Sequence, residues 1–83
     1  MDNWNIYVLK SDADGLHYCG MTQDIDRRLH EHNSGKHKFT KGHLPWKLVY
    51  SEFIGGRTQA RLREKYLKSA AGRRFLDKEL GGK

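Results

Sequence analysis

Ile6-Tyr7-Val8-Leu9, then Tyr18-Cys19-Gly20, then the run from Asp24 to Asn33 decide how this chain folds. The first two segments read as strands, and the turn residues Asp12-Ala13-Asp14-Gly15 stand between them. In the first strand Ile6 and Val8 take one face, Tyr7 and Leu9 the other. Pairing Lys10 with Gly15 around a four-residue loop sets Leu9 opposite Leu16 and Tyr7 opposite Tyr18. Thr22 and Asp24 both qualify as helix N-caps. Ile25, Arg28, Leu29 and His32 then share one helical stripe, which turns Arg28 and His32 toward the two tyrosines. Asn33-Ser34-Gly35 stops that helix.

Outward from this core, the stretch from Ser34 to Trp46 has no period and carries Lys36, His37, Lys38, Lys41 and His43. A basic loop of that length suits binding better than mere connection. Lys47 to Phe53 reads as a third strand, broken by Gly55-Gly56. Thr58 is the expected cap of a second helix reaching about Ala70, with Ala60, Arg63, Glu64, Leu67 and Ala71 along one side. A last helix from Gly72 to Leu80 supplies Phe75 and Leu76, and Gly81 to Lys83 reads as a loose tail. The expectation is a single domain over residues 1–83, its core spanning about 4–80. Its class is α+β: a small three-stranded antiparallel sheet flanked by helices in the order β-β-α-β-α-α. Strand order does not follow from the sequence.

Composition narrows the function. Lys and Arg number 16 against 10 Asp and Glu, a formal charge of +6 that fits a polyanionic partner. The lone Cys19 cannot close an internal disulfide, which points to a reducing cytoplasm. No apolar run is long enough for a bilayer, and the first residues lack a signal-peptide layout. The histidines and Cys19 lack the short paired spacings of a structural zinc site.

Ile6-Tyr7, Tyr18-Cys19-Gly20 and Arg28 together resemble the signature of the GIY-YIG nucleases. The resemblance continues through Arg27 to Lys36, Pro45 to Tyr50 and Ala60 to Lys65, stretches that resemble the small stand-alone GIY-YIG proteins of bacteria. These are similar to the amino-terminal nuclease domain of the excision-repair protein UvrC. The resemblance implies a DNA endonuclease using one Mg²⁺ (or Mn²⁺). In it Tyr7 and Tyr18 are the motif tyrosines, Arg28 faces phosphate, Glu64 holds the metal, and His32 stands where relatives carry histidine or tyrosine. Asn5, Cys19 and Met21 depart from the pattern, the last where UvrC-like domains often place lysine. Tyr7, Tyr18 and His32 all remain candidates for the base. Expected phosphate contacts are Lys36, Lys38, Lys41 and Lys47, with Arg57, Arg61, Lys65 and Lys68 on the second helix. The alternative is a nucleic-acid-binding module of the same fold that cuts weakly or not at all. A protein-interaction domain would instead present an exposed apolar patch.

Overall fold

In the computed structural model, which describes residues 2–81, strand β1 (Trp4–Ser11) lies in the middle of a sheet ordered β2-β1-β3. β2 spans His17–Thr22 and β3 Trp46–Gly55, and both pair antiparallel to β1. Ile6, Tyr7, Val8 and Leu9 are all buried, which requires strands on both sides and cover on both faces. Helix α1 (Ile25–Asn33) covers the Tyr7 and Leu9 face through Ile25 and Leu29, with Trp46 completing the cluster. Helices α2 (Arg57–Leu67) and α3 (Ala70–Glu79) cover the Ile6 and Val8 face through Ala60, Leu67 and Leu76. The fold is therefore the expected β-β-α-β-α-α domain.

The β1–β2 register differs from the expected one by two residues. Leu9 faces Tyr18, and Tyr7 faces Gly20. The cause is Ser11, which extends β1 and closes the turn: its amide donates to the Leu16 carbonyl at 2.8 Å. The Ser11 hydroxyl oxygen accepts from the amides of Ala13 (3.1 Å) and Asp14 (3.2 Å). Gly15, at φ +77°, takes a left-handed turn position instead of pairing with Lys10. A strand repeats every two residues, so a slip of two leaves both tyrosines on the same face.

Two helix boundaries also differ. Gly56, not Thr58, is the N-cap of α2, and it caps through no side chain. α2 ends at Leu67, and Ser69 caps α3 by accepting from the Gly72 amide at 3.2 Å. Gly72 reads as a helix start but lies inside α3, pressed on the end of α2. A Cβ there would stand 2.0 Å from the Tyr66 carbonyl oxygen. Of the loose tail expected at Gly81 to Lys83, Gly82 and Lys83 lie outside the described residues.

The basic loop is anchored at both ends. The Asn33 side chain donates to the Trp46 carbonyl (2.9 Å) and accepts from the Trp46 amide (2.6 Å), tying the end of α1 to the start of β3. Trp46 Nε1 donates to the Thr40 carbonyl at 2.9 Å, which fixes a 3-10 turn over Thr40–His43.

Candidate active site

β1 presents Tyr7, β2 presents Tyr18, and α1 presents Arg28 and His32 to one face of the sheet. The Tyr7 hydroxyl and His32 Nε2 are hydrogen-bonded at 3.0 Å, and His32 Nδ1 bonds the Thr40 hydroxyl at 2.9 Å. His32 is wholly buried between these partners. Tyr18 stacks obliquely on both, its ring centroid 4.9 Å from that of His32 and 6.3 Å from that of Tyr7. The Tyr7 ring lies over Gly20, which explains the glycine. A Cβ at that position would meet the hydroxyl oxygen at 2.6 Å.

Burial pushes the Tyr7 phenol up to about 12, with the Arg28 guanidinium opposing that rise and the charges of Tyr18 and Glu64 adding to it. Burial also pushes His32 down to about 4, aided by the neighbouring His37 and Arg28. In the resting site the phenol is therefore protonated and the imidazole neutral. Arg28 Nη1 donates to Glu31 Oε1 at 3.1 Å and the guanidinium also reaches the Tyr7 hydroxyl, whereas the buried Arg28 Nε finds no partner among the described residues. An unpaired buried N–H donor costs stability. Beside Tyr7 it is a ready place for an anionic oxygen.

Glu64 comes from the other side of the sheet. It stands on α2, beside edge strand β2, and its charge is felt at both Tyr7 and Cys19. The five expected residues thus do not share one face: four gather on the α1 side and the carboxylate approaches around the β2 edge. Glu64 Oε2 accepts from Lys68 Nζ at 3.0 Å, and Oε1 makes no hydrogen bond among the described residues. No group of three His, Cys, Asp or Glu comes together among the described residues. A single hard carboxylate oxygen fits a Mg²⁺ ion that leans on water and substrate phosphate for its remaining ligands.

All eight basic residues expected at phosphate are exposed. Lys47 pairs with Asp12 at 3.7 Å, Lys68 pairs with Glu64, and the Arg57 guanidinium lies 5.8 Å from the Trp4 ring centroid. Lys36, Lys38, Lys41, Arg61 and Lys65 make no ion pair among the described residues. Along the outer edge of β2 runs a cleft of about 710 Å³, with Tyr18, Phe39, Lys68 and Arg73 in its walls.

Glu31 and Thr40 also enter the site with no role expected from the sequence, and His37 enters it from the basic loop. Glu31 holds both arginines of α1, and its spacing from them is a legible helical signal. Thr40 and His37, which pack on His32, come from the aperiodic loop and carry no such signal.

Tyr7, Tyr18, Gly20 and Arg28, which carry the resemblance to the GIY-YIG signature, thus lie together in the fold. The chain belongs to that family of nuclease domains: the model of the GIY-YIG catalytic domain matches residues 3–76. Its relatives are small proteins of the UPF0213 group. It is 41% identical over 64 residues to one from Clostridium perfringens, covering 76% of this chain and 68% of that one. With one from Staphylococcus saprophyticus it shares 36% identity over 77 residues, 92% of this chain and 93% of the relative. The solution NMR structure of a UPF0213 protein from Bacillus halodurans matches with a TM-score of 0.58 at 35% identity, covering 96% of this chain and 87% of that chain. Among the described residues no helix is long and apolar enough to cross a membrane.

Proposed function

We propose that this domain is a Mg²⁺-dependent DNA endonuclease acting in the cytoplasm, with Tyr7, Tyr18, Arg28, His32 and Glu64 as its working residues. The observation that carries this reading is the 3.0 Å contact of Tyr7 with a neutral His32, beside the unpartnered Nε of Arg28. Arg28 binds a non-bridging phosphate oxygen and satisfies its orphaned donor. The Thr40 hydroxyl donates to the His37 carbonyl at 3.5 Å, so Nδ1 of His32 is assigned the proton and Nε2 the acceptor role. A water attacking phosphorus passes its proton to the Tyr7 oxygen as the phenol hands its own to His32 Nε2. Tyr7 alone is a weak base, since a phenol near 12 is ionised only about one part in 10⁵ at pH 7. His32 gives that proton a place to go, and the negative charge of a bound phosphodiester raises the proton affinity of an imidazole otherwise held down at about 4. As the P–O bond to the 3′ oxygen breaks, that oxygen takes a proton from solvent, leaving a 5′-phosphate. A divalent cation held by Glu64 would supply positive charge at the phosphate and the departing oxygen.

A fold-retaining binding module is the second reading, favoured by Met21 in the place of a lysine. Branched, single-stranded and duplex DNA incubated with the protein in Mg²⁺ or chelator separates the two. The nuclease reading expects metal-dependent cleavage that disappears in Glu64→Ala and in Arg28→Ala, with DNA still bound by Glu64→Ala. Binding without cleavage under any divalent metal overturns it.

A further inference from the structure

Glu31 has more nitrogen-bearing neighbours than a helix-surface carboxylate needs. Its Oε2 accepts from Arg27 Nε at 3.2 Å and its Oε1 from Arg28 Nη1 at 3.1 Å. His37 Nε2 stands 3.9 Å from the same Oε1 and 3.5 Å from Arg28 Nη1. The His37 ring is stacked on His32, 4.4 Å between centroids at 28°, which places this group directly over the buried imidazole. Two guanidiniums and an imidazole thus converge on one carboxylate. That carboxylate has kept little exposure, 18% of its side chain, whereas the Arg27 side chain is 75% exposed.

Two planar forks and an imidazole are the donor set that grips a phosphate, which is bulkier than a carboxylate and offers more acceptor oxygens. Beside them a second hollow of about 230 Å³ is lined by Trp4, Met21, Asp24, Arg27, Arg28 and Glu31. Resting on the nuclease reading above, we infer that Arg27, Arg28 and His37 form a phosphate site of the substrate strand, and that Glu31 fills it in the free protein as an internal competitor. Binding a phosphodiester displaces the Glu31 carboxylate from at least one arginine. Nucleic acid is thereby admitted against a built-in anion, which weakens its grip on stray phosphate and speeds release of the cut strand.

The opposite role is a carboxylate that merely holds Arg28 in place, and the two predict effects of opposite sign. Glu31→Gln keeps the side-chain shape and an acceptor oxygen while removing the competing charge. Inorganic phosphate titrated into the full chain, followed by NMR of the arginine Nε–H and histidine ring signals, reads binding without any cleavage. Two partly exposed ion pairs are at stake, so Glu31→Gln should bind phosphate about three- to tenfold more tightly than wild type. Glu79→Gln, which makes the same charge change on α3, should leave the affinity as it was. Arg27→Gln should weaken binding, which tests the site even where Glu31→Gln does not fold. Equal or weaker binding in Glu31→Gln, an equal gain in Glu79→Gln, or no loss in Arg27→Gln overturns the inference. Because the readout is phosphate binding, such a failure leaves the nuclease reading standing; absence of cleavage by wild type would sink that reading instead.

Discussion

Gly20 stands directly across β1–β2 from Tyr7, so near that a Cβ on residue 20 would lie 2.6 Å from the phenol oxygen and 2.7 Å from the carbon that bears it. The glycine of the motif is a vacancy shaped to a ring. Its backbone φ is ordinary, so the requirement is space rather than conformational freedom.

Gly20→Ala should therefore force Tyr7 off His32. The ring is buried and bonded at its tip, so it cannot swing clear cheaply. Overpacking of this kind costs about 1–3 kcal/mol. Urea denaturation should show that loss, and the His32 ring signals should shift. An alanine variant with wild-type stability and unchanged His32 signals would refute this packing account.

Tyr7→Phe removes one hydroxyl and leaves His32 Nε2 buried without its partner. An unsatisfied buried polar group of this sort costs about 1–3 kcal/mol. Under the proposed mechanism the folded variant should also lose cleavage while keeping DNA affinity. Full activity in the phenylalanine variant would remove Tyr7 from the proton path.

The pH dependence has two limbs with different signs. His32 is held down at about 4 when folded and sits near 6.5 when unfolded, so below 6.5 the unfolded chain binds more protons. Its contribution to stability is present above about 6.5 and is lost as pH falls toward 4. Tyr7 is raised to about 12 from an unfolded value near 10, so its contribution is present below about 10 and is lost as pH rises toward 12. Urea midpoints measured from pH 4 to pH 8 should fall on the acid side, and the slope should flatten in His32→Gln. A His32 ring that titrates near 6.5 by NMR contradicts this.

On the opposite face, Arg63 holds Glu52 through two contacts, Nε–Oε1 at 2.9 Å and Nη2–Oε2 at 2.7 Å. Tyr50 bonds the same carboxylate, and the Arg63 guanidinium lies 4.9 Å from the Phe75 ring centroid and 5.1 Å from that of Tyr66. Lysine cannot reproduce the fork or the stacking, so Arg63→Lys should cost about 1–2 kcal/mol. Thermal unfolding should move down by several degrees, with cleavage unaffected at temperatures where the variant is folded. An unchanged melting temperature would show that the network is ornamental.

The sequence by itself determined the local elements and the cast of residues. Alternation in Ile6 to Leu9, the stripe of Ile25, Arg28, Leu29 and His32, and the apolar side of α2 are periodic signals that survive any packing arrangement. Tyr7, Tyr18, Arg28 and His32 were legible because strand and helix periods put them on one face whichever way the register slipped by two. Three matters were left to the tertiary structure, each for a physical reason. The register belongs to the Ser11 hydroxyl, whose partners Ala13, Asp14 and His43 come together only when the hairpin meets the basic loop. The central place of β1 follows from burying both its faces at once, which no single segment reveals. The placing of Glu64 on the far face depends on which side of the sheet α2 settles, and only the packing of Ala60, Leu67 and Leu76 against Ile6 and Val8 decides that.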